Sequence, residues 1–235
     1  MMSPYLAEFV GTMILILLGN GVVANVVLNK TKGNNSGWIV ITFGWSIAVF
    51  AGVYIAAGSS GAHLNPVITL VLAFLGRLPW DLVPGYIATQ FLGAMAGAFL
   101  VFLGYKKHYD ETEDAGLIKA TFCNEPAIRS TFHNLITEII GTFALVVGVL
   151  FMTKSDVSLG TLDALPVALL VFGIGLSLGG PTGYAINPAR DLGPRIMHAV
   201  LPIKNKGGND WGYSWIPVVG PLIGGGLGVL LFTMI

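Results

Sequence analysis

Charge is scarce in this chain. Of its 235 residues only 10% are Asp, Glu, Lys or Arg, the 12 basic and 12 acidic side chains cancel, and there is a single cysteine. An average globular domain carries roughly 25% charged residues, so most soluble folds are excluded. A net charge of zero excludes a nucleic-acid binder, which needs a basic face against phosphate. The lone Cys123 cannot form an internal disulfide and has no local His or Cys companion, so zinc and redox motifs are excluded and no metal or other cofactor is expected. Disorder is excluded by 54% hydrophobic residues. What the chain has instead is long apolar runs, 32 glycines and a mean hydropathy of +0.77. That is the composition of one membrane domain over residues 1–235.

A segment crossing the hydrocarbon core needs about 20 mostly apolar residues and must be helical or part of a closed barrel. Six stretches qualify, at about 6–28, 38–58, 84–104, 134–153, 163–180 and 214–235, and none shows the dyad alternation of a barrel strand. The expected fold is therefore all-α, with six transmembrane helices. Two more apolar stretches, 66–75 and 188–198, each follow a proline and are too short to span. The start, Met1 to Leu6, has no basic n-region, and no cleavage pattern follows, so the first run is expected to be a retained helix. Trp38, Trp80, Trp211 and Trp215 near span ends are expected to anchor at headgroup level.

The chain repeats itself. Ala7-Glu8-Phe9-Val10-Gly11-Thr12 is echoed 130 residues later by Thr137-Glu138-Ile139-Ile140-Gly141-Thr142, and Ser60-Gly61-Ala62-His63-Leu64-Asn65-Pro66 is echoed at an offset of 122 by Thr182-Gly183-Tyr184-Ala185-Ile186-Asn187-Pro188. Repeat one covers about 1–105, a linker about 106–133, and repeat two about 134–235. Each repeat holds three crossings. Because three is odd, the second must enter the membrane from the opposite face, giving an inverted pair.

Each Asn-Pro reads as an N-cap followed by proline at the first helical position, the favoured start of a helix. Ten residues of helix cover about 15 Å, half the hydrocarbon thickness, so two re-entrant half-helices can meet N-terminus to N-terminus at the midplane. Non-helical backbone at that depth survives only when buried in protein or lining a wet cavity. The segments before each Asn-Pro are thus expected to line a pore. Two helix N-termini bring roughly half a positive charge each to its centre, which repels cations, and the Asn65 and Asn187 amides donate to a passing oxygen. Such a pore conducts neutral hydrogen-bonding molecules and excludes ions and protons.

In these motifs, Ser-Gly-Ala-His-Leu-Asn-Pro at 60–66 and Asn-Pro-Ala-Arg-Asp at 187–191 with the repeated Glu, the chain resembles the major intrinsic protein family of aquaporins and glycerol facilitators over essentially its whole length. The resemblance implies motif residues Asn65, Pro66, Val67 and Asn187, Pro188, Ala189. Val67 departs from the usual alanine, and its extra methyls bear on the shape of the pore centre. The resemblance also implies an outer constriction formed by Trp45, Gly175, Tyr184 and Arg190. Gly175 stands where water-selective members have histidine, which widens the constriction. Tyr184 stands where glycerol facilitators usually carry phenylalanine, and Asp191 is the glycerol-type ending, grouped with Glu8 and Glu138 as structural support. The implied pore-lining carbonyls are those of Gly61, Ala62, His63, Leu64, Gly183, Tyr184 and Ala185.

The implied function is a passive channel for small neutral solutes, chiefly glycerol with water as co-permeant. Alternatives are a water-selective pore, a channel for dihydroxyacetone, urea or a neutral small acid, and a proton-coupled transporter. The resemblance further implies a homotetramer in the cell membrane with cytoplasmic termini. The lysines disagree on orientation: Lys30, Lys32, Lys106, Lys107, Lys119, Arg129, Lys204 and Lys206 follow spans 1, 3 and 5, against Arg77 and Lys154 opposite, so the positive-inside rule places the termini outside.

Glu8 and Glu138, as intramembrane carboxylates, are candidates for a proton relay. Their equivalence in both repeats favours instead a role as acceptors for the backbone of the Asn-Pro loops. His63 is expected to be a hydrogen-bonded structural group. His108, His133 and His198 are expected at solvated or interfacial positions, and Arg195 is expected to snorkel to the surface or pair with a loop acid. Ser59, Ser60 and His63 lie too close to one turn for a triad, so no catalytic residue and no enzyme are expected. Gly93, Gly97, Gly224, Gly225, Gly226 and Gly228 are expected to admit close helix approach.

Overall fold

The computed structural model describes residues 2–152 and 162–235; Met1 and Lys154, and the last residue of the fourth expected span, lie outside them. Among the described residues the regular structure is nine helices: α1 Pro4–Val27, α2 Trp38–Ser60, α3 Pro66–Phe74, α4 Val83–Asp110, α5 Ala115–Ala120, α6 Thr131–Met152, α7 Ala164–Leu178, α8 Pro188–Val200 and α9 Ile216–Met234. Five of them, α1, α2, α4, α6 and α9, are long and apolar enough to cross a membrane, and α7 is a shorter apolar helix of 15 residues at the fifth expected span. The linker, expected as loop, contains the one-and-a-half-turn α5, started by Asp114, whose side chain accepts from the Gly116 and Leu117 amides.

The helices start where the sequence supplies caps. Ser3 accepts from the Leu6 amide ahead of Pro4. Asn65 accepts from the Val67 amide at 2.9 Å ahead of Pro66. Asn187 accepts from Ala189 and Arg190 at 3.0 and 3.2 Å ahead of Pro188. At the far end of α8, the Lys206 ammonium donates to the His198, Ala199 and Leu201 carbonyls at 2.7–2.8 Å, using carbonyls that the helix leaves without intrahelical partners.

The glycine notches hold equivalent contacts in the two halves. A Cβ at Gly93 would come within 2.4 Å of the Phe9 carbonyl, and one at Gly224 within 2.3 Å of the Ile139 carbonyl. These notches let α4 lie directly on α1, and α9 on α6. Gly226 departs from expectation, since a Cβ there meets nothing within 4 Å.

Val67 also departs. It is buried at 1% exposure but does not line the central cavity; it packs into a notch at Gly225, where an added Cβ would sit 2.4 Å from Val67 Cγ1. Its methyls shape the α3–α9 contact and leave the pore centre alone. The other half is packed the opposite way, with Gly193 on α8 receiving Ala94 of α4; an added Cβ there would fall 2.6 Å from Ala94 Cβ. Gly225→Ala is therefore expected to lose about 1–3 kcal/mol by overpacking. Val67→Ala in the same chain should recover most of that loss, and thermal unfolding of the single and double variants in detergent reads the coupling.

Candidate pore and its constriction

The residues before each Asn-Pro do not continue a helix. Gly61, Ala62 and Leu64 have φ of 82°, 53° and 51°, and Gly183, Tyr184 and Ile186 have φ of 77°, 41° and 45°. For a residue with a Cβ this left-handed conformation costs about 1–2 kcal/mol, so something must hold it. In the first half the holder is Glu8, fully buried: its Oε1 accepts from Ser60 Oγ at 2.6 Å and the His63 amide at 2.9 Å, and its Oε2 accepts from the Leu64 amide and Gln90 Nε2, both at 2.7 Å. In the second half Glu138, 1% exposed, accepts on Oε1 from Thr182 Oγ1 at 2.7 Å and the Ala185 amide at 3.0 Å, and on Oε2 from the Ile186 amide at 2.9 Å. Neither carboxylate lines the central cavity.

These bonds also set where the carbonyls point. In a planar trans peptide the C=O is directed opposite to the N–H that follows it. Amides of His63 and Leu64 aimed at Glu8 therefore turn the Ala62 and His63 carbonyls away from it, and amides of Ala185 and Ile186 aimed at Glu138 do the same for Tyr184 and Ala185. All four residues line one cavity of about 290 Å³, together with Gly61, Leu64, Asn65, Ile186 and Asn187. Two of the expected carbonyls are engaged within the protein: that of Leu64 accepts from Asn187 Nδ2 at 2.8 Å, and that of Gly183 accepts from Asn124 Nδ2 at 2.6 Å. Gly183 does not line the cavity, whereas Ile186, not expected there, does; its carbonyl accepts from Asn65 Nδ2 at 2.8 Å. The two asparagines thus brace each other's loops where α3 and α8 meet. Each amide has two N–H groups, so one remains after the brace.

The same cavity is lined by the aliphatic side chains of Leu15, Val49, Ile68, Leu145, Val149 and Val171. Trp45, Tyr184 and Arg190, three of the four expected constriction residues, line it as well. The Arg190 guanidinium lies over the Trp45 ring at 4.2 Å, inside the distance for a cation–π contact, and donates through Nη1 to Asn124 Oδ1. Gly175 does not line the cavity and does not widen it directly. A Cβ there would fall 2.9 Å from Tyr184 Cζ and 3.0 Å from its Oη, so the missing side chain makes room for the tyrosine ring.

Behind Arg190 is a buried network. Asp191, fully buried, accepts on Oδ1 from the Asn124 amide and Arg195 Nη2, and on Oδ2 from Arg195 Nε, at 2.8–2.9 Å. Arg195 neither snorkels nor seeks a loop carboxylate. It has no exposed surface, pairs with Asp191 one turn earlier, and donates to the carbonyls of Asn124, Asn209 and Asp210. His198 is likewise buried, its Nδ1 2.7 Å from Asn209 Oδ1 and its ring against Phe122; the polar network beneath the loops draws both side chains inward. His63 is hydrogen-bonded to Thr69 Oγ1 at 3.2 Å. His108 meets the Asn29 carbonyl, and His133 meets Ser130 Oγ at the exposed start of α6. Cys123 is buried, which pushes its thiol pKa up and leaves it unreactive.

Asn124 and Gln90 were not foreseen. Asn124 touches Arg190, Gly183, Asp191 and Arg195, yet nothing in the local sequence of an acidic loop distinguishes it. Gln90 has a weak signal, as an uncharged polar side chain within an otherwise apolar span.

A family model described as major intrinsic protein matches residues 1–232. Among curated relatives, a probable glycerol uptake facilitator protein of Thermotoga maritima is 59% identical over 232 residues, covering 99% of each chain. A glycerol uptake facilitator protein of Streptococcus pneumoniae is 58% identical over 234 residues, covering 100% of each. Among solved structures, the aquaglyceroporin from Plasmodium falciparum superposes with a TM-score of 0.85 at 29% identity, covering 97% of this chain and 93% of that one.

Proposed function

Since the chain belongs to the major intrinsic protein family, we propose that it is a passive transmembrane channel for small neutral solutes, chiefly glycerol with water as co-permeant, and not an enzyme. The observation that carries this is the two-sided lining of one cavity. A file of carbonyls, turned outward by Glu8 and Glu138, faces a wall of aliphatic side chains. A polyol has one hydroxylated edge and one CH edge, and this lining matches both. At the constriction, Arg190 offers fixed donors to adjacent hydroxyls, and Trp45 and Tyr184 take the carbon edge.

The two halves act as inverted repeats joined by the linker, with Asn65 and Asn187 donating to the passing oxygen at the centre. A proton-coupled transporter would need a carboxylate facing the solute. Glu8 and Glu138 are instead turned to their loops, and Asp163, a carboxylate that does line the cavity, is an exposed residue at the N-cap of α7, away from the Asn-Pro loops in the chain. The assembly is a homotetramer in the cell membrane with cytoplasmic termini. Five of the eight cations on the opposite face have structural partners, since Lys30, Lys106, Lys119 and Arg129 pair with Glu111, Asp110, Glu125 and Asp210, and Lys206 caps α8.

Stopped-flow uptake by proteoliposomes, for water, glycerol, dihydroxyacetone, urea and lactic acid at several pH values, tests the assignment. Rapid glycerol flux down its own gradient is expected; saturable uptake driven by a pH gradient would overturn it. Within that panel, Tyr184→Phe is expected to change the glycerol-to-water permeability ratio by about fivefold, the factor for one hydrogen bond worth about 1 kcal/mol. The hydroxyl is buried and without a protein partner among the described residues, so a passing water or solute is the partner left for it to find. An unchanged ratio removes it from the narrowest point.

A further inference from the structure

Trp38 opens α2 at the membrane edge, 41% exposed, where an interfacial anchor belongs. Its other edge faces inward. The indole Nε1 donates to the Gly175 carbonyl at 3.1 Å, and the ring meets the Tyr184 ring edge-on, 6.1 Å between centroids. Around Tyr184 the protein forms a slot. A Cβ at Gly179 would lie 2.4 Å from Tyr184 Cδ1 and 2.8 Å from Trp38 Cζ2, and one at Gly175 would lie 2.9 Å from Tyr184 Cζ and 3.0 Å from Thr42 Cγ2. The two glycines, Gly175 on α7 and Gly179 one turn on at its C-cap, leave a recess the width of a ring, Tyr184 fills it, and Trp38 closes the back.

We propose that Trp38 is a specificity-determining positioning residue, which sets the width of the constriction by holding the Tyr184 ring in the Gly175–Gly179 slot. The inference rests on the pore assignment above and adds to it the residue that fixes the width. Tyr184 itself cannot hold that place unaided. Its backbone is in the left-handed region at φ 41° and its hydroxyl has no protein partner among the described residues, so ring contacts decide where it rests. Removing the indole opens room behind the ring. The ring then withdraws from the lumen and the passage widens.

The test is a ladder of linear polyols, glycerol, erythritol and ribitol, with water as reference, in proteoliposomes of wild type, Trp38→Ala, Tyr184→Ala and the double variant. Trp38→Ala is expected to raise the erythritol-to-glycerol ratio at least threefold, and to add nothing in the Tyr184→Ala background, because it acts through that ring. A general loosening of the fold would move the ratio in both backgrounds, and that result overturns the proposal, as does an unchanged ratio in folded Trp38→Ala. If Trp38→Ala does not fold, Trp38→Phe, which keeps an aromatic edge and loses the bond to the Gly175 carbonyl, is expected to give a smaller rise, and no rise overturns the proposal. A wild type that passes water and no polyol overturns the glycerol-channel assignment and this proposal with it; a conducting wild type insensitive to Trp38 overturns this proposal alone.

Discussion

Glu8→Gln is expected to cut glycerol flux per folded protein by at least tenfold and to lower the thermal unfolding temperature, and to do both more severely than Glu138→Gln. The carboxylate of Glu8 accepts four hydrogen bonds, two on each oxygen. An amide keeps one acceptor oxygen and puts an NH₂ where the other stood, facing two N–H donors. If the oxygen stays with Ser60 and His63, the Leu64 amide loses its acceptor in a buried site, at about 1–3 kcal/mol, and Gln90 can meet the new NH₂ only by turning its amide away from Thr69 Oγ1. The same loss releases Leu64 from its left-handed conformation and the His63 carbonyl from its direction.

Glu138 has three donors among the described residues, with one on Oε2, so its amide leaves one donor stranded. The difference lies in the packing partner. The step that carries Gly93 to Gly224 carries Gln90 to Pro221, which has no N–H to give. Calorimetry or fluorescence melting of the two variants beside flux measurements checks the ranking. Equal losses would mean that Gln90 contributes nothing to the first loop.

The second large effect is at Arg190. Arg190→Ala is expected to raise cation or proton leak by about 100-fold while glycerol still passes. A unit charge about 5 Å from the path, at an effective dielectric near 20, opposes a cation by about 3 kcal/mol, which corresponds to that factor. The barrier does not vanish, because the N-termini of α3 and α8 still face each other across the braced asparagines. The guanidinium also covers Trp45, so its removal bares an aromatic face and frees the Asn124 carboxamide. Conductance and pH-dye quenching in liposomes measure the leak. No change from wild type would show that the midplane alone excludes ions.

The half-helices and their braces could be foreseen because their chemistry is local. Asn-Pro is an N-cap and a first-turn residue in two adjacent positions, and a repeated Glu eight residues into the chain and again in α6 needs no tertiary information. The faces of the spans could not be foreseen. In lipid the outer surface is as apolar as the packed one, so no amphipathic stripe marks which side of α2 carries Trp38 inward or which side of α3 turns Val67 toward Gly225. Asn124 lies beyond sequence for a related reason. Its bonds to Arg190 and Arg195 join residues far apart in the chain, through a loop without periodicity. Arg195 and His198 misled because a charged or titratable side chain near a span end suggests water, whereas the loops packed over α8 supply carbonyls and a carboxamide in its place.

The Lys206 ammonium at the far end of α8 bears on the pore it does not touch. Peptide dipoles in that helix place partial positive charge at Asn187 and partial negative charge some 20 Å away, where three carbonyls now rest on a cation. With its negative pole neutralised, the helix acts on the midplane as a one-ended source of positive potential. Cation rejection at the centre of the channel therefore draws part of its strength from a surface loop.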